Sequence, residues 1–111
     1  MISKANAEHY AWGRDCDAWT LVKAESFTVI QESMPAHASE TRHRHLRSRQ
    51  FFYVLGGEAM IEVDGTRGTL TAGEGMEIPP GAAHQVFNNS GQELSFLVMS
   101  CPPSHGDRIE T

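Results

Sequence analysis

The sequence predicts an all-β protein on the basis of three observations. Its apolar and β-branched residues fall in short segments that alternate with polar residues at a period of two, as in strands with one buried face. Turn-forming glycine, proline and asparagine residues separate these segments at intervals of about 8–12 residues. No window carries the apolar stripe of an amphipathic helix. This pattern is typical of a β-sandwich or a β-barrel.

Five segments rich in β-branched and aromatic residues are predicted strands. In chain order they are residues 26–34, 49–57, 58–65, 84–90 and 93–100. The dipeptide Asp64-Gly65 predicts a two-residue hairpin turn into a further extended segment, residues 67–71. The residues up to Trp19 give no clear prediction. Residues 102–111 carry two prolines and a glycine, and we expect them to form an irregular tail.

Length and charge limit the class of protein. The chain has 111 residues, which indicates one domain over residues 1–111. Its net charge of −5 gives no reason to expect nucleic-acid binding. No segment approaches the roughly 20 apolar residues of a membrane helix, and the first residues lack the apolar run of a signal peptide. We therefore expect a cytoplasmic protein that contacts neither membranes nor nucleic acid.

Two cysteines, Cys16 and Cys101, are too few for a disulfide scaffold. The sequence does not exclude a single disulfide bond between them.

Three histidines and a glutamine have the spacing of a metal site. His43 and His45 stand at positions i and i+2, so on a strand both side chains lie on the same face. Gln50 opens the next apolar strand. His84 follows the turn at residues 79–81, which can start a strand and direct its first side chains. Each residue alone carries little weight, because a single histidine is more often a hydrogen-bonded or exposed side chain than a ligand.

The complete pattern resembles the two motifs of the cupin superfamily. The first family motif reads Gly-x5-His-x-His-x3–4-Glu-x6-Gly, and the second reads Gly-x5-Pro-x-Gly-x2-His-x3-Asn. This chain carries His-x5-His-x-His-x4-Gln-x6-Gly from His37 to Gly57, and it matches the second motif at every fixed position from Gly73 to Asn88. The resemblance thus spans residues 37–88.

This resemblance implies a double-stranded β-helix, the jelly-roll cupin barrel. It also implies one divalent metal ion (Zn, Ni, Mn or Fe) held by His43, His45, Gln50 and His84. The metal cannot be identified from the sequence. Because the family usually forms dimers, the resemblance further implies a homodimer.

Two positions depart from the family pattern. His37 stands where the first motif has glycine; we interpret it as a turn residue, and the alternative is an imidazole near the cavity mouth that carries protons. Gln50 stands where the usual ligand is glutamate. A neutral amide leaves the ion its full charge, which favours Lewis-acid chemistry over oxygen activation. If Gln50 is not a ligand, the site consists of three histidines.

Alternation from Gln50 and His84 predicts which side chains share the cavity with the metal. They are Phe52, Val54, Val86 and Asn88. Met76, Ile78 and Phe96 are further candidates, and ordinary core packing is the preferred interpretation for most of the seven. Four arginines between residues 42 and 49 are interpreted as a solvated strand face. The alternative is an arginine that binds an anionic ligand, for which Arg47, in a turn, is the least constrained candidate. No carboxylate falls at a predicted cavity position, so no catalytic residue is assigned.

A metal-dependent enzyme of isomerase or lyase type, acting on a small organic acid, sugar or carbonyl compound, is the first hypothesis for function. The metal motif is similar to that of small cupins that convert unsaturated uronates into open-chain keto sugars. An iron- or copper-dependent dioxygenase is the second hypothesis. A non-catalytic module that binds a small molecule is the third.

Overall fold

The computed structural model describes residues 1–111 and contains eleven β-strands and no helix. No helix is therefore available that is long and apolar enough to cross a membrane. The strands are β1 (Glu8–Trp12), β2 (Cys16–Lys23), β3 (Thr28–Met34), β4 (His43–His45), β5 (Arg49–Gly56), β6 (Glu58–Val63), β7 (Thr66–Thr71), β8 (Gly75–Ile78), β9 (His84–Phe87), β10 (Leu94–Cys101) and β11 (Arg108–Glu110).

The strands form two antiparallel sheets that enclose one core. The first sheet has the order β1-β2-β3-β10-β5-β8, and the second has the order β11-β4-β9-β6-β7. Buried side chains from both sheets, among them Val54, Ile61 and Val86, make a single apolar cluster. The predicted all-β double-stranded β-helix is confirmed, with the two sheets packed together and not closed into one hydrogen-bonded barrel.

Alternation along β5 shows why the predicted strands are correct. Phe52 and Val54 are buried in the core, whereas Phe51 and Leu55 on the opposite face are exposed. A period of two places every second side chain on the core face, so the sequence itself defines the register.

The predicted hairpin at Asp64-Gly65 is also confirmed. Both residues have positive φ angles, 48° and 88°, as a two-residue type I′ turn requires. This turn joins β6 to β7 in the second sheet.

Residues before Trp19, which the sequence left unassigned, form a hairpin of β1 and β2 at one edge of the first sheet. Cys16 and Ala18 of β2 are fully buried. The hairpin extends the sheet past β3, so it leaves Phe51 and Leu55 on the outer face of β5 uncovered.

The expectation of an irregular C-terminal tail is wrong for its last residues. Strand β11 pairs with β4 and sets Arg108 opposite His45. The buried carboxylate of Asp107 accepts backbone N–H groups of residues 46–48 at 3.2, 2.9 and 2.9 Å. The segment is too short and too polar to show a strand pattern, and its order depends on contacts with residues about 60 positions away in sequence.

Two positions of the first motif adopt positive φ angles. Gly57 has φ 83°, and a Cβ there would lie 2.5 Å from the carbonyl oxygen of Glu93, so the position requires glycine. His37 has φ 65° where the family motif has glycine. Its side chain is exposed, as the turn interpretation predicts, and it does not line the cavity described below.

Candidate metal centre and its cavity

Three buried histidines converge between the two strands that carry them. His43 of β4 lies opposite His84 of β9 in the register of the second sheet, and His45 follows on the same face of β4. Their ring centroids lie 4.4 Å (43–84), 4.9 Å (43–45) and 5.9 Å (45–84) apart. The intervening Arg44 is exposed, as alternation predicts.

The turn before His84 is held against β4. The backbone N–H of Gly81 donates to the carbonyl oxygen of His45 at 2.7 Å. The N–H of Ala83 donates to the carboxylate of Asp64, in the hairpin turn between β6 and β7, at 3.0 Å. These two bonds fix the entry of the chain into β9 and therefore the direction of the His84 side chain.

Backbone carbonyls set the protonation of two of the rings. Nδ1 of His43 contacts the carbonyl oxygen of Thr41 at 2.9 Å, and Nδ1 of His84 contacts that of Ala82 at 3.0 Å. Since a carbonyl oxygen only accepts, each Nδ1 carries the proton and leaves the Nε2 lone pair free. Burial lowers the pKa of His43 to about 3 and also lowers the pKa values of His45 and His84. The rings are therefore neutral, the form that binds metal.

Gln50 is buried and lines the same cavity as His43 and His45. Its Nε2 group donates to the hydroxyl of Ser100 at 3.0 Å, which leaves Oε1 as a buried oxygen without a hydrogen-bond partner. Five buried side-chain N or O atoms lack a partner, and three of them belong to Gln50, His45 and His84. Such unpaired atoms are costly in a protein interior unless a ligand satisfies them.

The donor atoms fit a divalent metal. Ligand atoms of the three histidines all lie within 4.8 Å of one another. Two nitrogens on opposite sides of one ion lie about 4.2 Å apart, twice a bond of about 2.1 Å. Small ring rotations therefore bring all three onto one ion. His43, His45 and His84 would hold the metal, with Oε1 of Gln50 as the fourth donor.

A cavity of about 290 Å³ opens beside this centre. Of the four candidate ligands, His43, His45 and Gln50 line it. Its apolar wall comprises Trp12, Ile30, Phe52 and Val98. Its polar wall comprises Tyr10, Glu32, Glu40, Ser100, Ser104, His105 and Arg108.

Comparison with known proteins agrees with this geometry. The sequence profile of the Cupin domain family matches residues 29–100, which is more than half of the chain. The chain belongs to the cupin family. An uncharacterised protein of Methanocaldococcus jannaschii is 26% identical to this cupin over 88 residues, which cover 78% of this chain and 70% of that protein.

Two further relatives show how far the likeness extends. An RmlC-like cupin from Shewanella frigidimarina superposes with a TM-score of 0.83 at 23% identity, over 91% of this chain and 88% of that one. Gentisate 1,2 dioxygenase 1 of Aquipseudomonas alcaligenes is 35% identical over 71 residues. That match covers 64% of this cupin but only 20% of the dioxygenase, so this chain spans a fifth of the enzyme's length.

Most of the candidate pocket residues pack in the core, which was the preferred interpretation, so the list of cavity residues needs correction. Of the eight residues expected there, only Phe52 lines the cavity. Four others are packed in the apolar core: Val54, Ile78, Val86 and Phe96. Met76 packs against that core. Alternation defines which face of a strand is buried, but not whether a residue lies at the open end or the filled end of the fold.

Asn88 and Arg47 have other roles. The buried Asn88 Nδ2 lies 3.0, 3.1 and 2.7 Å from the backbone carbonyl oxygens of Met34, Pro35 and Gln92, which share its two N–H donors, and these contacts close a loop. Arg47 is exposed, and its guanidinium lies 4.0 Å from Asp107, outside the cavity.

The other arginines of the 42–49 cluster also point away from the metal centre. Arg42 pairs with Glu62 at 2.7 Å, and Arg49 pairs with Glu77 at 2.9 Å. None of the four arginines lines the cavity, so the interpretation as a solvated face is correct.

The cysteines remain unpaired in this cupin. Cys16 is buried and Cys101 is exposed, and both are free thiols. Burial, more than the neighbouring carboxylates, raises the pKa of Cys16 to about 11, so the thiol stays protonated.

Sequence reasoning missed two cavity carboxyls, Glu32 and Glu40. Oε1 of Glu40 accepts the backbone N–H of Val86 at 3.1 Å, and Oε2 lies 4.0 Å from Nδ1 of His43. The Glu32 carboxyl has no hydrogen-bond partner in the protein. Burial raises the pKa of each to about 8. Alternation with the buried Met34 could have placed Glu32 on the core face. A single acidic residue in a strand does not, however, indicate a functional site.

Replacement of Glu32 by glutamine should flatten the pH dependence of stability in the metal-free protein. The pKa of Glu32 is about 8 when folded and near 4.5 when unfolded, so stability falls as pH rises towards 8. Near pH 6.5 the histidines still bind protons in the unfolded state, so their contribution to stability rises with pH, and it is the same in the wild type and in the variant. The fall in Tm across this window should shrink by at least about half, because only Glu40 then keeps a contribution of this sign.

Thermal melts in chelator at pH 6.5 and pH 8 measure this effect. Glu93→Gln, at an exposed carboxyl, is the matched control and should keep the wild-type slope. An unchanged slope in Glu32→Gln would show that Glu32 is ionised in the folded state at neutral pH.

Proposed function

We propose that this cupin is a metal-dependent enzyme that acts on a small organic acid by isomerase or lyase chemistry. The observation that carries the proposal is the unpartnered Oε1 atom of Gln50 beside neutral histidines, in a cavity large enough for a small substrate. Three imidazoles and an amide contribute no negative charge, and such a donor set suits Lewis-acid chemistry better than stabilisation of a higher oxidation state.

The residues of the cavity have complementary tasks in this proposal. A divalent metal held by the four donors supplies Lewis acidity towards a substrate oxygen. The Glu32 carboxyl holds a proton at neutral pH and has no competing partner, so it is the candidate acid or base. Trp12, Ile30 and Phe52 form an apolar wall that excludes water from the bound substrate.

The second candidate function is an iron- or copper-dependent dioxygenase. The identity of 35% with gentisate 1,2 dioxygenase 1 favours it, and gentisate is itself an organic acid. A non-catalytic module that binds a small molecule is the third candidate. The homodimer and the cytoplasmic location stay predictions.

Metal replacement separates these candidates. Protein purified without chelators or nickel resin is analysed for metal, stripped, and reloaded with Mn, Fe, Ni or Zn. Each form is then mixed with an unsaturated uronate, whose ultraviolet absorbance falls as it is converted, and with other small organic acids. Turnover with redox-inert Zn and without oxygen uptake is the expected result.

Other outcomes assign the protein differently. Turnover only with iron or copper, coupled to oxygen consumption, would favour the dioxygenase. Binding without turnover for every metal would favour the non-catalytic module. A uronate that decays no faster than in buffer removes that substrate alone.

Replacement of Gln50 by glutamate should tighten metal binding by roughly tenfold or more, because a carboxylate attracts the cation more strongly than an amide. Lewis-acid turnover should fall, since the added negative charge reduces the pull of the ion on the substrate. Competition with a chelator measures affinity, and steady-state kinetics measure turnover. Gln92→Glu, at an exposed glutamine outside the cavity, is the control. Unchanged affinity and kinetics in Gln50→Glu would mean that Gln50 is not a ligand.

A further inference from the structure

We propose that Arg108 binds the carboxylate of the substrate and so determines that this cupin accepts anionic ligands. The inference rests on the proposed function and narrows its substrate class. Arg108 is the sole lysine or arginine among the 15 residues that line the cavity. It comes from the C-terminal strand and not from the arginine-rich segment at residues 42–49.

Strand pairing places Arg108 beside the metal centre. In the antiparallel register of β4 and β11, Arg108 lies directly opposite His45. Side chains that are directly opposite in such a pair lie on the same face of the sheet, with Cβ atoms about 4.5–5.5 Å apart. Because His45 is directed into the cavity, Arg108 is directed there as well, consistent with its place in the lining.

Asp107 holds this strand in place. Its carboxylate accepts three consecutive backbone N–H groups from the turn between β4 and β5, and its side chain is 3% exposed. The residue before the arginine is thus fixed to the turn that directly follows the strand carrying His43 and His45. A cation on such a support is preorganised, so little entropy is lost when it captures an anion.

Most N–H donors of the Arg108 guanidinium have no hydrogen-bond partner in the protein. Its only hydrogen bond goes to the carbonyl oxygen of Thr41, at a long 3.4 Å. Its only close carboxylate is that of the exposed Glu110, at 4.0 Å. An arginine carries five N–H donors in a planar fork that matches a carboxylate. Other arginines nearby, such as Arg42 and Arg49, already have carboxylate partners.

The cavity favours a carboxylate over a phosphate. Glu32 and Glu40 line the same space, and neither lies within ion-pair distance of Arg108. The single guanidinium of Arg108 matches the one charge of a carboxylate, whereas a dianionic phosphate would leave a negative charge that no other lysine or arginine of the cavity balances. A volume of about 290 Å³ suits a molecule with a carboxylate at Arg108 and a second oxygen towards the histidines.

A matched pair of probes tests the inference on cobalt-loaded protein, whose visible spectrum reports ligands that reach the metal centre. Levulinate carries a ketone and a distant carboxylate, and hexane-2,5-dione replaces that carboxylate by a neutral methyl ketone. Arg108→Gln should raise the Kd for levulinate by about tenfold or more and leave the Kd for the dione unchanged. Arg108→Lys keeps the charge without the fork and should give an intermediate Kd.

Arg44→Gln is the control, because Arg44 lies on β4 beside the histidines but on the exposed face. It should bind levulinate as the wild type does. Inorganic phosphate is titrated as a competitor and should bind more weakly than levulinate.

Three results would overturn the inference. They are equal levulinate affinity in the wild type and in both Arg108 variants, no levulinate binding by the wild type, and tighter binding of phosphate than of levulinate. If cobalt binds, none of these three results contradicts the proposal that the protein is a metal-dependent enzyme. Failure of the wild type to bind cobalt at all would instead reject the proposed function, and the inference with it.

Discussion

Replacement of His84 by alanine is expected to lower the affinity of the protein for a divalent metal by at least about 100-fold, since loss of an outer-shell partner alone costs about 10–100-fold. His84 is 1% exposed, and its Nε2 atom is one of the buried atoms without a partner. It is also the only one of the three clustered histidines on β9, so no metal site of these histidines could bridge β4 and β9 without it.

The measurement is metal affinity by competition with a chromophoric chelator. His84→Gln serves as a second variant, because it fills more of the buried space and separates loss of metal from loss of fold. His9→Ala is the matched control at an exposed histidine paired with Asp17, and it should bind metal as the wild type does. Retention of metal by folded His84→Ala would exclude this histidine as a ligand and remove the basis of the proposed enzyme.

Replacement of Asp107 by alanine is expected to give the largest loss of stability among single changes outside the apolar core. The substitution leaves three backbone N–H groups, those of residues 46–48, without their acceptor, and it releases β11 from the turn that follows β4. We expect a fall in Tm of roughly 5–10 °C, from the cost of unsatisfied donors and the melting entropy of a chain of this size. Metal affinity should fall too, because β4 carries His43 and His45.

Thermal melting and hydrogen exchange at the amides of residues 46–48 test this prediction. Asp107→Asn keeps one acceptor oxygen and should lie between alanine and the wild type. Glu110→Ala, on the same strand but exposed, should melt as the wild type does. If Asp107→Ala melts at the wild-type temperature with protected amides, the C-terminal strand is not held by this carboxylate.

The residues that sequence reasoning placed correctly share a local, periodic signal. His43 and His45 lie on one face because a strand has a period of two, and the burial of Gln50 with Phe52 and Val54 follows from the same rule. The two-residue turn at Asp64-Gly65 is determined by residues that tolerate positive φ. In each case the physical cause acts within a few residues of the chain.

The residues that it misplaced depend on depth within the fold and on distant contacts. Val86 and Phe96 are on the predicted inner face but lie in the packed core and not along the cavity. Arg108 belongs to a strand of three residues, too short to show a pattern, and that strand exists because it pairs with β4. Glu32 resembles any polar residue in a strand until the fold buries it beside Glu40 and Arg108.

The sequence by itself therefore determined the all-β fold, the motif-bearing strands and the three candidate donor histidines, because alternation, turn chemistry and motif spacing are encoded locally. Only the tertiary structure decided which side chains surround those donors. The identity of the cavity wall depends on how two sheets and the C-terminal strand pack together. That packing joins residues such as His45 and Arg108, which no short-range rule relates.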